Sequence, residues 1–169
     1  MVGITQQYPN DYRGWYYLGE LMSTFQQYEQ AIASFDKALQ LKPDDHQVWN
    51  NRGNALFNLG RFDEAIASYD KALQLKPDKD QPWYNRGVAL FNLGRWDEAI
   101  ASYDKALQLK PDKDEAWYNR GNALYNLGRL DEAIASYDKA LQLKPDKDEA
   151  WNNRGNALYN LGRLDEAIA

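Results

Sequence analysis

Residues 49–82 read WNNRGNALFNLGRFDEAIASYDKALQLKPDKDQP, and the chain then repeats itself. Residues 83–116 differ from this stretch at five positions. Residues 117–150 differ from 83–116 at three, Val88/Asn122, Phe91/Tyr125 and Trp96/Leu130. Trp15, Trp49, Trp83, Trp117 and Trp151 are each 34 residues apart, as are Pro9, Pro43, Pro77, Pro111 and Pro145. The block at Trp15 has drifted, and the one at Trp151 ends after nineteen residues. A fixed period of this size means stacked copies of one supersecondary unit.

Each block reads as two helices. Trp49, Gly53 and Leu56 fall on one face at helical spacing. Gly60 closes that helix. Asp63 and Glu64 suit the positive end of a new dipole. Ala65, Ile66, Tyr69, Ala72 and Leu73 form the stripe of the second helix, with Lys76 near its end and Pro77 stopping it. Asp78-Lys79-Asp80 supplies capping candidates for the next helix, and Pro82 lies in its first turn, where a missing N–H costs little. Small Gly53, Ala65 and Ala72 should let the two backbones approach, leaving a slot for Trp49 and Tyr69. No alternating run suggests a strand.

These residues resemble the tetratricopeptide repeat (TPR) family, whose pattern is W-x₂-L-G-x₂-Y…A-x₃-F…P. The first block gives Trp15, Leu18, Gly19, Met22, Ala31, Phe35 and Pro43; the second gives Trp49, Arg52, Gly53, Leu56, Ala65, Tyr69 and Pro77. Trp83, Gly87, Leu90, Ala99, Tyr103, Pro111 and Trp117, Gly121, Leu124, Ala133, Tyr137, Pro145 continue it. Arg52, Arg86, Arg120 and Arg154 replace the pattern leucine, as in bacterial-type arrays of the family. The resemblance implies an all-α fold, a right-handed superhelical solenoid of antiparallel helix pairs with a concave groove. The expected units are residues 12–45, 46–79, 80–113, 114–147 and a truncated 148–169, with 1–11 the tail of a preceding or degenerate repeat. Neither end carries a polar capping helix, so the chain reads either as a fragment of a longer array or as one whose ends stack on other molecules. Apolar surface around Leu158 and Ile168 should be poorly covered.

Composition narrows function by exclusion. There are 20 basic and 25 acidic residues, net −5, the wrong sign for non-specific binding to nucleic acid or anionic membrane. No cysteine is present and His46 is the only histidine, so thiolate and multi-histidine metal sites are excluded within one chain. No apolar run is long enough to span a bilayer, and the N-terminus lacks a secretory pattern. A cytoplasmic protein without cofactor or metal is expected. No phosphate loop, dinucleotide fingerprint, nucleophile elbow or zinc motif occurs. Asp78-Lys79-Asp80 begins like a calcium loop, but Trp83 stands at its sixth position and no acid follows at the twelfth. Ser68, Ser102 and Ser136 have no histidine partner, so no catalytic residue is assigned.

The opposite face of each first helix is rich in amides and aromatics. It carries Tyr16 and Tyr17 in the first block, then Asn50, Asn51, Asn54, Phe57 and Asn58. Gln81, Tyr84, Asn85, Val88 and Phe91 follow, then Tyr118, Asn119, Asn122, Tyr125 and Asn126, and Asn152, Asn153, Asn156 and Tyr159. Asparagine is a mediocre helix former, so this density needs a reason. An amide offers donor and acceptor together and can satisfy a peptide bond whatever its side chain. The resemblance implies that this face lines the groove, and that Asn51, Asn85, Asn119 and Asn153 match an asparagine ladder that holds the backbone of an extended peptide. The basic clamp that grips a C-terminal carboxylate is missing: its positions carry Asn50, Asn54, Asn85, Glu115 and Asn119. The same asparagines could instead solvate the groove or bond between neighbouring helices. The function expected is a non-catalytic protein-interaction module whose partner is a protein or peptide; the alternatives are a structural or self-associating array and the sensor arm of a larger signalling protein.

Arg52, Arg86, Arg120 and Arg154 each follow an aspartate by sixteen residues, namely Asp36, Asp70, Asp104 and Asp138. Leu18 stands at that register in the first block, with Val2 sixteen residues before it. Charge and partner change together, which predicts an Arg–Asp ladder between repeats.

Overall fold

The computed structural model describes residues 10–167, which form ten helices and, among the described residues, no strand. These are α1 (Tyr12–Thr24), α2 (Tyr28–Leu41), α3 (His46–Asn58), α4 (Phe62–Leu75), α5 (Asp80–Asn92), α6 (Trp96–Leu109), α7 (Asp114–Asn126), α8 (Leu130–Leu143), α9 (Asp148–Asn160) and α10 (Leu164–Ala167). The expectations placed on Val2, Pro9 and Ile168 lie outside the described residues.

Local chemistry sets the helix ends. Asp45 caps α3, accepting from the backbone N–H groups of Gln47 at 3.1 Å and Val48 at 3.4 Å. The cap positions of α7 and α9 are Lys113 and Lys147, whose side chains make no capping bond. Asp80, offered as a cap candidate, falls inside the first turn of α5, as Asp114 and Asp148 do in α7 and α9, where they act on the helix dipole. Gly60 ends α3 with φ of 74°, a left-handed backbone that glycine adopts without Cβ strain. The next N–H, of Arg61, then donates back to Leu56 O at 3.0 Å.

Packing divides the chain into two compact units, one up to Ala89 and one from Leu90, the division running through α5. In the first unit α1 packs on α2, and α3 on both α2 and α4. In the second, α7 packs on α6 and α8, and α9 on α8 and α10. The α4 stripe is buried as its spacing predicts: Ala65, Ile66, Tyr69, Ala72 and Leu73. The first helices depart from expectation. In α3 the buried side chains are Val48, Ala55 and Leu56, while Trp49 is half-buried. Its indole N–H needs an acceptor and finds Pro43 O at 2.8 Å; Trp117 and Trp151 reach Pro111 O and Pro145 O at 2.9 Å. Ala116 and Ala150 fill the core where Val48 does. The apolar surface around Leu158 is exposed at Trp151, Tyr159, Leu161 and Leu164, but Leu158 itself is fully buried beside Ile134, Ala157 and Ala167.

The slot between paired helices belongs to the tyrosine alone. A Cβ on Gly53 would lie 2.5 Å from Tyr69 Cε1, and one on Gly121 would lie 2.5 Å from Tyr137 Cε1. The missing side chain is what admits the ring.

All four Arg–Asp pairs form. Nε donates to the aspartate at 2.6 Å in Arg52–Asp36, Arg120–Asp104 and Arg154–Asp138, and at 2.7 Å in Arg86–Asp70. Arg52 also donates Nη1–H to Ser68 Oγ at 2.7 Å, so one guanidinium joins α2, α3 and α4. Buried Ser68 donates in turn to Glu64 O at 3.0 Å, which gives that serine a structural duty. Arg120 repeats the arrangement with Asp104 and Ser136. The Arg52 side chain is 20% exposed and Asp36 44%, which puts the pair between the buried and the surface regimes.

Two outcomes follow from this packing. Gly53→Ala should cost about 1–3 kcal/mol, overpacking outweighing alanine's helix preference. At Gly155, in the same register of α9, a Cβ meets nothing nearer than 3.7 Å. Gly155→Ala should therefore stabilise by up to about 1 kcal/mol, and denaturant melts of the two variants check the opposite signs. Asp36→Ala should cost about 1–3 kcal/mol, and a double-mutant cycle with Arg52 should return a coupling of about 1 kcal/mol or more.

Candidate functional site

The amide-rich face is organised from the core outward. The Tyr69 hydroxyl donates to Asn54 Oδ1 at 2.9 Å, fixing that amide from behind. Asn85 on α5 donates Nδ2 to the same oxygen at 2.9 Å and to Asn50 Oδ1 at 3.2 Å. Gln81 Nε2 then donates to Asn85 Oδ1 at 2.8 Å. The second unit rebuilds this arrangement: Tyr137 and Asn153 both donate to Asn122 Oδ1 at 2.9 Å, and Asn153 reaches the Tyr118 hydroxyl at 3.1 Å. In α2 the tyrosine is replaced by Phe35, which has no hydroxyl. There Glu20 Oε1 accepts instead from Tyr16 at 2.6 Å and from Asn51 Nδ2 at 3.3 Å. Asn51, Asn85 and Asn153 thus spend N–H groups on joining successive first helices.

Two cavities of matching register open on this face. The first, of about 550 Å³, is lined by Asn54, Phe57, Asn58, Tyr69, Gln81, Tyr84, Asn85 and Val88. The second, of about 250 Å³, is lined by Phe91, Asn122, Tyr125, Asn126, Tyr137, Asn153 and Asn156. Asn54/Asn122, Phe57/Tyr125 and Asn85/Asn153 are each 68 residues apart, two periods. Val88 and Tyr84 line the first cavity; in the second, Asn156 stands at the register of Val88. Each combines an aromatic wall with an amide rim, a surface suited to peptide groups and apolar side chains together.

Tyr16, Asn50 and Asn51 line a further cavity of about 370 Å³ with Glu20, His46 and Lys79. Tyr17 stands apart from Asn51, whose register it shares; it is exposed and lines a cavity with Asp11, Arg13 and Glu20. Tyr118 packs on Tyr137 with ring centroids 6.0 Å apart, and Asn119 is half-buried on α7. Sequence reasoning missed Glu20 and the part played by the tyrosine hydroxyls. Reading Glu20, Asn54, Val88, Asn122 and Asn156 as one column would have singled out the charge.

Burial pushes the Tyr69 hydroxyl well above the ordinary tyrosine range. Tyr137 is raised by burial first, then by Tyr118 and Tyr125, against a lowering bond from Asn153. Tyr16 is raised by burial and then by its bond to Glu20. A hydroxyl raised in the folded chain adds stability that is fully present below the unfolded value, about pH 10, and is lost as pH climbs beyond it. Alkaline titration followed by tyrosinate absorbance and circular dichroism should show these tyrosines ionising only as helix is lost.

Among the described residues no helix is long and apolar enough to cross a membrane. A tetratricopeptide repeat family model matches residues 84–148 and 118–169, and a TPR repeat model matches residues 26–60 and 53–94. No curated protein sequence matches significantly. Among solved structures, MamA is 26% identical with a TM-score of 0.87, over 89% of this chain and 88% of that one. YrrB, described as a TPR protein with an unusual peptide-binding site, is 24% identical with a TM-score of 0.86, over 99% and 86%. The first TPR of Spaghetti (RPAP3), bound to the HSP90 peptide SRMEEVD, is 31% identical with a TM-score of 0.68, over 69% and 93%.

Proposed function

The chain belongs to the tetratricopeptide repeat family, and from that premise we propose that it is a non-catalytic interaction module that holds an extended segment of another protein against its amide and aromatic face. The repeating units are residues 12–45, 46–79, 80–113, 114–147 and 148–169. The observation that carries the reading is the pair of register-matched cavities, each with an asparagine held from behind by a core tyrosine. An amide already fixed in place loses little freedom when it meets a ligand, so its bonds favour binding. Asn54, Phe57, Tyr84 and Asn85 serve the first cavity; Phe91, Asn122, Tyr125, Asn126, Asn153 and Asn156 serve the second. The relative with a bound peptide supports a peptide as the class of partner. The acidic tail held by that relative is a poor candidate here, because Asn50, Asn54, Asn85, Glu115 and Asn119 stand where a basic clamp would be. An acidic chain free of cysteine suits a cytoplasmic module.

A peptide selected from a random displayed library tests the reading. Asn85→Ala removes about one neutral hydrogen bond to the ligand, so affinity should fall about two- to tenfold. Lys71→Ala, on the exposed side of α4, should leave it unchanged. A melt of each variant separates binding from the bonds Asn85 makes within the fold. Selected peptides indifferent to both Asn85→Ala and Asn153→Ala would overturn the proposal.

A further inference from the structure

Glu20 carries a charge that its place in the fold does not need. Its register is occupied by Asn54, Val88, Asn122 and Asn156 in the later blocks. The task of that position is to present one oxygen to the asparagine of the next first helix and to a tyrosine hydroxyl. Asn54 and Asn122 perform it with a neutral amide. Glu20 performs it with Oε1 alone, accepting from Tyr16 and Asn51. What the glutamate adds is a full negative charge and a second oxygen.

Among the described residues no cation pairs with that charge. Arg13, on the same helix and lining the same cavity, is held by Asp11 at 3.0 Å; Lys42 is held by Asp45 at 3.0 Å and Arg52 by Asp36 at 2.6 Å. Lys79 and His46 line one of the same cavities without an ion pair to Glu20. Three cavities meet at Glu20, and in the largest, about 660 Å³, it is joined by Tyr17, 57% exposed. Tyr17 is braced edge-on by Tyr16 with ring centroids 5.3 Å apart.

The protein shows elsewhere what such a pair is good for. Lys42 Nζ lies 3.0 Å from Asp45 and 4.7 Å from the centroid of the Tyr12 ring. Lys147 Nζ lies 3.0 Å from Asp114 and 5.2 Å from the Tyr118 ring. Twice, then, a carboxylate and a tyrosine ring together hold a lysine. Glu20 with Tyr17 offers both halves of that arrangement and lacks the cation. We propose that Glu20 and Tyr17 form a recognition site for a lysine or arginine side chain of the bound segment, an inference that rests on the peptide-binding reading and gives it a charge preference.

Capped alanine peptides that differ only in a central lysine, glutamate or norleucine provide the probe. They are titrated into the full chain and followed at the backbone amides of Glu20, Asn51 and Asn85 by NMR. The lysine peptide should bind about fivefold or more tightly than the other two, and added salt should erase the difference. Glu20→Gln keeps the Oε1 acceptor and should bring lysine-peptide binding down to the norleucine level while leaving the melting curve unchanged. Tyr17→Ala should reduce the preference about two- to threefold, and it does so without touching the Glu20 bonds. Lysine and glutamate peptides that shift Asn85 equally would overturn the cation site and leave the peptide reading standing. A lysine preference that survives Glu20→Gln would also overturn the site. If none of the peptides moves these amides, both readings fall.

Discussion

The absence of a side chain at Gly53 and Gly121 is the constraint on which the rest of each unit depends. A methyl group there would sit 2.5 Å from the tyrosine ring of the paired helix, so only glycine lets the ring cross between the two. The ring then fills the core with its body and delivers its hydroxyl to the other side. That hydroxyl fixes Asn54 in one unit and Asn122 in the other, and those amides in turn fix Asn85 and Asn153. A contact in the deepest part of the helix pair therefore sets the geometry of the most exposed functional face. In the first helix pair Phe35 keeps the packing but loses the hydroxyl, and Glu20 and Tyr16 take over the polar task.

Adhesion between successive blocks is polar as well as apolar. Arg52 stands at a register where the family pattern has leucine, and it exchanges the leucine's burial for bonds to the two neighbouring helices. A bare guanidinium in that position would be costly, but Asp36, Ser68 and the face of Trp49, whose centroid is 5.9 Å away, leave it compensated. Such a joint is directional where an apolar contact is not, so it fixes how one helix pair meets the next. The scaffold is then free to vary where it does not pack. Val88, Tyr84 and Phe57, which differ from their counterparts in other blocks, all line the first cavity, while the glycine, tyrosine and arginine positions stay the same from the second block to the fourth.

The charge pattern of the inner face fits this division of labour. In the function we propose, amides supply general recognition of a peptide backbone, since they do not discriminate between side chains. Selectivity must come from the positions that break the repeat. Glu20 is the clearest of these, being a charge where other blocks are neutral, and it sits beside the exposed ring of Tyr17.

Periodicity alone determined a good deal. The period of 34 residues, the glycine at each turn and the stripe through Ala65, Tyr69 and Leu73 specified helices, their pairing and the family. The sixteen-residue offset between Arg86 and Asp70 even specified an ion pair, because two residues that change together at fixed spacing in a repeating structure must occupy one joint. What periodicity could not specify was where each polar atom finds its partner. Helical spacing locates a residue within an arc of about 100° but not which groups border that arc. Trp49 accordingly lies at the margin of its stripe, drawn to Pro43 O, and Val48 takes the core position. The asparagine ladder binds its own neighbouring helices, and Leu158 is covered by α10, because both depend on contacts made across helices. Only the packed structure decided these, since each is settled by which donors, acceptors and apolar atoms three-dimensional proximity brings together.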